Sequence, residues 1–307
     1  MMMRYMLGIG VLLACVGCGP QSPEVVSQRA TTANGGEQAA EQARKTSDDY
    51  AAGKLSGIVD TYFQQNLKLN PISATFIGNH RYDDRLSISI SPEHRERQRE
   101  LEQKFLNALS DIDSRDLSGQ DLLTYEIFRR GRENALEGLS YPSHLLPINQ
   151  FFSFPNFFAT LAAGTSAHPF NTVDDYDNML SRMDDYVAWV DQAIVNMREG
   201  MEKGIVRPQV ITAKVLPQLA AQVKDEASET LFWRPITNMP EDFSEQERER
   251  LTAAYRQKIE GVVVPSYQRL HDFIRDEYLP ATTDTVGLTA LPGGEPWYDF
   301  LVRLQTT

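Results

Sequence analysis

Residues 173–201 read VDDYDNMLSRMDDYVAWVDQAIVNMREGM. Tyr176, Leu180, Met183, Val187, Val190, Ile194, Met197 and Met201 recur at alternating steps of four and three, the spacing that places apolar side chains on one face of an α-helix. Thr172, ahead of Asp174 and Asp175, supplies a capping hydroxyl and negative charge where the first-turn amides lack partners, and Gly204 followed by Pro208 marks the stop. Such a seam pairs with a second chain or packs inside one bundle. The second outcome is the expectation, with self-association the alternative.

Working outward, further segments show helical signals. Ser91-Pro92 has the form of an N-cap followed by proline in the first turn, with Leu101, Phe105, Leu109 and Ile112 on the buried side. Ser118 opens a helix through Leu122, Leu123, Tyr125 and Phe128 toward Gly138. Ser244 and Glu247 form a capping box ahead of Leu251, Tyr255, Ile259 and Val262. The spacing resumes beyond Pro265 with Tyr267, Leu270 and Ile274, so a kink or break is expected at the proline. Residues 48–69 and 209–233 also suit helices, and no alternating strands or fixed-period repeats appear. The fold class read from these patterns is all-α, a multi-helix bundle-like domain over residues 48–307.

Lys and Arg number 30 against 42 Asp and Glu, a net charge of -12 over 307 residues. That sign is wrong for a phosphate-binding surface, so no nucleic-acid partner is expected. Mean hydropathy is -0.39, and no apolar run approaches the ~20 residues of a spanning helix. The N-terminus is distinct. Arg4 precedes an apolar stretch over residues 5–17, the size of a signal-peptide core. The chain's two cysteines, Cys15 and Cys18, each end a lipobox-like sequence, Leu12-Leu13-Ala14-Cys15 and Cys15-Val16-Gly17-Cys18. The first has the better-placed leucine and the second gives the more ordinary signal length. Residues 1–18 are therefore read as a lipoprotein signal with lipidation at Cys18 or Cys15, and the membrane as a partner through that lipid. Neither Val16 nor Gly19 is the aspartate associated with inner-membrane retention, so the periplasmic face of the outer membrane is expected in a Gram-negative source. Residues 19–47 are too polar to pack and are read as a disordered tether spanning on the order of 30 Å.

Candidate chemistry is sparse. His80-Arg81-Tyr82-Asp83-Asp84 sets an imidazole beside two carboxylates, as an acid–base pair or a metal site would, although a polar loop explains it equally. His271 near Asp272 and Glu277 lacks a second histidine four residues on, so a solvated face is expected. None of the five histidines (His80, His94, His144, His168, His271) precedes a glutamate, so HExxH is absent, as are GxSxG and the glycine-rich phosphate loops. Phe151, Phe152, Phe154, Phe157 and Phe158 either plug a core or line an apolar cleft for a peptide ligand. Arg129, Arg130 and Arg132 are read as an ion-paired helix face, with carboxylate binding as the alternative.

The order of several segments is informative. LKLNPISATFIGNHRYDDRL (67–86), the Ser-Pro helix, LTYEIF (123–128), MREGMEKGIVRPQVI (197–211), VLPQL (215–219), PSYQRLHDFIRDEYLP (265–280) and LPGGEPWYDFLVR (291–303) follow one another. In that order the chain resembles the helical bacterial family catalogued as domain of unknown function 885, whose members are often lipoproteins. The resemblance implies a gluzincin-like zinc peptidase fold with an HExxPGHH-like motif in the C-terminal half, its histidines holding zinc and its glutamate activating water. Here the sequence reaches Thr307 without that motif. The expectation is the N-terminal part of a larger fold, inactive alone, with a C-terminal half as partner. No catalytic, cofactor-binding or metal residue carries over, and zinc is expected only in full-length relatives. The alternative is a complete, non-catalytic, membrane-tethered peptide-binding or scaffold lipoprotein. Trp297, Phe300, Leu301 and Leu304 form an amphipathic C-terminal helix whose apolar face calls for a partner.

Overall fold

A computed structural model gives the structure of the protein and describes residues 31–306. The signal segment with Cys15 and Cys18, and residues 19–30 of the expected tether, lie outside the described residues. The chain divides into two compact units at Ser47 and Asp48. Helix α1 runs Thr31–Leu69, so residues 31–47 are helical where an unstructured tether was expected. Their run of Ala, Gln, Glu, Lys and Arg, all good helix formers, gives a local reason.

The second unit is all-α, and among the described residues the one bridge of strand type is an isolated parallel pair, Pro208 with Thr283. Its centre is α6 (Val173–Glu202), capped by a reciprocal Thr172–Asp175 box. The buried stripe of α6 is broader than the apolar seam in the sequence. Tyr176, Met183, Val190 and Met197 are joined by Met179, Arg182, Tyr186, Trp189 and Asn196, while Leu180 and Val187 sit at the edge. Elements pack on both sides of this stripe, so polar and aromatic positions beside the seam are enclosed too.

Along α6 lies one long composite helix: α9 (Glu245–Lys258), a π-turn over Ile259–Val263, α10 (Val264–Phe273) and a second π-turn over Ile274–Tyr278. The Ser244–Glu247 capping box forms as expected. Pro265 does not break the helix. Leu251, Tyr255, Ile259, Val263 and Tyr267 are all buried at steps of four, each of which carries a regular helix about 40° past one turn. The wider π-turn absorbs that drift and adjusts the backbone ahead of the proline. It also buries Val263 more deeply than Val262, the position read from the sequence.

The two helices run parallel, and a ladder of exposed ion pairs joins their edges. Asp177, Asp184, Asp191 and Arg198, seven residues apart, meet Arg250 (2.8 Å), Lys258 (2.5 Å), Arg269 (2.6 Å) and Glu277 (2.8 Å). Each such pair is worth about 0–1 kcal/mol, so the ladder fixes register more than it stabilises.

Helix α5 (Phe154–Ala162) and α7 (Gln209–Ala220) complete the main core. The helix expected over 209–233 ends at Ala220, and 3-10 turns at Ala227–Glu229 and Leu231–Trp233 lead into the short α8 (Arg234–Thr237). A second core joins residues 51–69 of α1 to α3 (Pro92–Leu109) and α4 (Gly119–Ser140). Leu101, Phe105, Leu109, Ile112 and Phe128 are buried there as read, whereas Leu123 is half-exposed and Leu122 nearly so. Helix α11 (Gly294–Thr306) docks through Trp297 and Phe300 onto Tyr141, Leu145 and Leu146, leaving Leu301 and Leu304 partly exposed.

Candidate functional site

The His80–Asp84 segment follows α2 (Pro71–Phe76) and forms a 3-10 turn over His80–Tyr82, with the Asn79 side chain accepting from the Arg81 amide. The turn brings His80 and Asp83 together and leaves Asp84 outside, against Arg85. Asp83 is buried: Oδ2 lies 2.7 Å from His80 Nδ1, while Oδ1 accepts from Thr75 Oγ1 (2.5 Å) and Arg182 Nη2 (3.1 Å). Arg182, from the middle of α6, is fully enclosed. It donates further to the carbonyls of Arg85 (Nε, 3.1 Å) and Tyr82 (3.3 Å), to Thr75 Oγ1 (2.6 Å), and through Nη1 to His168 Nδ1 (2.8 Å).

That last bond sets the histidine tautomer. Arginine has no lone pair to offer, so His168 Nδ1 accepts and Nε2 carries the proton, donated to the Asp175 carbonyl at 2.9 Å. Burial holds His168 down to about 4, helped by the Arg182 charge and opposed by the Asp175 hydrogen bond. Burial also pushes the Arg182 guanidinium below its ordinary value, and Asp83 pulls it back. Arg182 and His168 are enclosed and this cluster pins the α2 segment to α6, with the exposed face of His80 on one side and a pocket of about 450 Å³, lined by His168, Phe170, Asn171 and Arg234, on another.

The other residues singled out in the sequence are dispersed. His271 contacts Asp272 at 3.2 Å, Asp272 also meets Arg275, and Glu277 belongs to the ion-pair ladder. Arg129 lies between Glu126 (2.6 Å) and Glu133 (2.8 Å), and Arg130 is exposed. Arg132 pairs with buried Glu102 and lies 3.7 Å over the Tyr62 ring. The phenylalanines divide. Phe158 is enclosed and stacked on Tyr186 at 4.3 Å, and Phe154 and Phe157 are half-buried, but Phe151 and Phe152 are 78% and 90% exposed. Asn149 Oδ1 accepts from both of their amides at 2.8 Å.

Among the described residues no three His, Cys, Asp or Glu side chains converge to hold a metal ion. The zinc implied by the family resemblance therefore has no fitting site in them. Nor is any described helix long and apolar enough to cross a membrane.

Charged side chains line several concavities. A cleft of about 800 Å³ at the start of α3 is lined by Lys68, Arg85, Arg97, His94 and Glu93 over an apolar floor, with Asp84 on Arg85. A more enclosed cavity of about 450 Å³ lies where α6, α7 and the 281–291 loop meet. It is built by the chain's turn out of α6. Gly204 takes φ 70 and the Ile205 amide reaches back to the Gly200 carbonyl at 2.8 Å. A side-chain carbon on Gly200 would sit 2.6 Å from the Ile205 carbonyl oxygen, so the close return requires glycine there. Arg207 then points inward. Its Nε donates to the Ile148 carbonyl (3.2 Å) and its Nη2 to that of Leu146 (2.7 Å), while its amide donates to Tyr278 Oη (3.0 Å). Leu146, Val206, Ile211, Leu288 and Leu291 supply apolar walls, with Thr283 and Thr285 at the rim. Sequence reasoning missed Arg207. The available signal was an arginine inside an otherwise apolar run, Ile205-Val206-Arg207-Pro208-Gln209-Val210-Ile211.

A crystal structure of a protein from Colwellia psychrerythraea, provisionally designated a lipoprotein, shares this fold with a TM-score of 0.65 at 15% sequence identity. The match covers 82% of this chain and 46% of that one, so the chain spans less than half the length of the protein it resembles. No protein with a curated description matches. Residues 71–307 match the family described as "Bacterial protein of unknown function (DUF885)", and the chain belongs to that family.

Proposed function

We propose that the chain is the helical body of an exported, lipid-anchored bacterial lipoprotein built on a gluzincin-like peptidase plan, and that this body holds peptide rather than cutting it. The observation supporting the lipoprotein body is the fold shared with the Colwellia lipoprotein over 82% of this chain and 46% of that one, while the peptidase plan is carried over from the family resemblance and the peptide-holding role is the proposal itself. The lipobox-like sequences at Cys15 and Cys18 support the anchor. A family zinc site, with two histidines and a water-activating glutamate, lies in a motif this sequence does not contain, so no hydrolytic step is assigned to its residues. In the periplasm, the lipid would keep the body at the membrane surface.

Two measurements on the full chain test this. Expressed with its signal in a Gram-negative host, the mature protein should begin at Cys18 or Cys15 and carry acyl chains by mass spectrometry. An unlipidated N-terminus refutes the anchor. Purified and supplied with zinc, the chain should leave a mixed peptide library uncut. Cleavage abolished by a chelator refutes the assignment of a holding role.

A second reading, a scaffold lipoprotein that binds a ligand without any peptidase partner, is favoured by the enclosed, singly charged cavity at Arg207.

A further inference from the structure

We infer that the cavity at Arg207 is a recognition site for a carboxylate on a compact apolar body, the chemistry presented by the C-terminal residue of a peptide with an aliphatic side chain. The inference goes beyond the peptidase plan. A chain that carried no lipid and met no catalytic partner would bind the same group.

The argument begins with an imbalance of charge. The protein carries 42 acidic side chains against 30 basic ones, yet no acidic side chain lines this cavity and Arg207 is its single charge. Removing a guanidinium from water is costly unless an anion and a full set of acceptors receive it. Arg207 is half-buried and has two carbonyl acceptors, from Leu146 and Ile148, while its Nη1 hydrogen-bonds to nothing among the described residues and stays within reach of water. Burial accordingly pushes its guanidinium below the ordinary arginine value, and the Tyr278 hydroxyl is the sole group raising it. A carboxylate reaching Nη1 would complete the donor set with a charge-assisted bond, about twice as strong as a neutral one.

The remaining walls fix the rest of the ligand. One cation matches one negative charge, which disfavours phosphate. Val206, Ile211, Leu288 and Leu291 call for carbon beside the carboxylate. The volume of about 450 Å³ lies toward the small end of the roughly 300–1,000 Å³ of ligand pockets. Thr283 and Thr285 bring hydroxyls to the same rim, and the Thr285 amide donates to Thr283 Oγ1 at 3.1 Å, leaving the Thr283 hydroxyl proton free to reach a ligand. Pro208, which precedes α7, and Ile211 in its first turn also line the cavity, and the Gln209 amide between them donates to the Thr283 carbonyl at 2.8 Å, which ties the rim to the start of that helix.

The test uses the full chain and isothermal titration with N-acetyl-L-leucine, its uncharged amide N-acetyl-L-leucinamide, and 4-methylpentanoate, an aliphatic acid without the peptide group. The acid should bind at least about tenfold more tightly than the amide, the difference one charge-assisted contact makes. If 4-methylpentanoate binds as well as N-acetyl-L-leucine, the ligand class is free aliphatic acids. If it binds more weakly, the class is peptide ends, and the carboxylate site stands in both cases. Arg207→Gln should lose the acid's advantage over the amide. Since Arg207 also ties down the Leu146 and Ile148 carbonyls, Ile211→Phe provides a second variant that fills the cavity and leaves the arginine in place. It should abolish binding with circular dichroism unchanged. Equal binding of acid and amide, no binding of any probe by the wild-type chain, or undiminished binding by a folded Ile211→Phe protein would each overturn the inference.

Discussion

Replacing Arg182 by methionine removes a cation of similar length from a site with no solvent access, and the structure allows the cost to be worked out. Asp83, 1% exposed at its side chain, keeps Thr75 and His80 but loses its cation. His168 Nδ1 and the carbonyls of Arg85 and Tyr82 lose a donor. Breaking a buried ion pair by deleting one partner costs about 3–5 kcal/mol, and the orphaned acceptors place this case at the upper end, since each adds about 1–3 kcal/mol unless water or a tautomer change relieves it. Against a typical domain stability of about 5–15 kcal/mol that is severe, equivalent to a melting point lower by roughly 10–20 °C at ~2–4 °C per kcal/mol. Guanidinium unfolding followed by circular dichroism measures it. The decisive control is the double variant Arg182→Met, Asp83→Asn. With both charges gone, the double variant should cost less than the sum of the single ones, by about 1–3 kcal/mol of coupling. A single-variant loss below about 1 kcal/mol, or strict additivity, would show that the cluster is not the clamp described.

His168 makes stability depend on pH in a definite direction. Its folded value of about 4 lies below the ordinary ~6.5, so the unfolded chain binds the proton first, and the stabilisation present above pH ~6.5 is lost as pH falls toward 4. Over that window the wild type should lose about 3 kcal/mol more than His168→Gln, at 1.36 kcal/mol per unit, and parallel profiles would exclude a buried neutral imidazole. Gly294→Ala should detach α11, because the added carbon would lie 1.9 Å from the Leu288 carbonyl oxygen. Trp297 fluorescence should then report exposure, while Gly53→Ala, with nothing within 4 Å, should stabilise α1 by about 0.5–1 kcal/mol. Phe158→Ala should cost about 3–5 kcal/mol and Phe152→Ser less than about 0.5 kcal/mol, a contrast that unfolding midpoints resolve.

What could be read in advance was local. The caps at Thr172, Ser91 and Ser244 are contacts within a few residues of sequence, and they form as read, while the seam of α6 is buried at Tyr176, Met183, Val190, Ile194 and Met197 but only half-buried at Leu180, Val187 and Met201. What could not be read depends on distant partners. Arg182 sits among apolar seam positions of α6, and nothing nearby in sequence announces that Asp83, 99 residues earlier, receives it. The heptad spacing of Asp177, Asp184, Asp191 and Arg198 is visible in the sequence, but the spacing of their partners is stretched by the π-turns, which hides the match. Leu122 and Leu123 misled for the opposite reason. Their spacing is apolar and helical, yet among the described residues that side of the start of α4 stays exposed. The zinc chemistry implied by the resemblance belongs to a motif that this sequence does not contain.

Two arginines of one body, Arg182 fully enclosed and Arg207 half-buried, follow the same physics to different ends. Arg182 has a carboxylate, a hydroxyl, an imidazole nitrogen and two carbonyls, so every nitrogen finds a partner inside the protein. A guanidinium so satisfied has nothing left to offer a ligand, and its contribution is to hold α2 and α6 together. Arg207 has two carbonyls and no carboxylate, and it opens on an apolar cavity. Its guanidinium is partly desolvated without a carboxylate, and a bound anion would replace the water at Nη1 with a charge-assisted bond. The same comparison weighs against the larger cleft beside α3. There Lys68, Arg85 and Arg97 are exposed, Arg85 pairs with Asp84, and Glu93 lines the same cleft, so water already meets most of their demand and an added anion gains little. Partial burial beside apolar walls with no carboxylate at hand, rather than the number of cations, is what singles out Arg207.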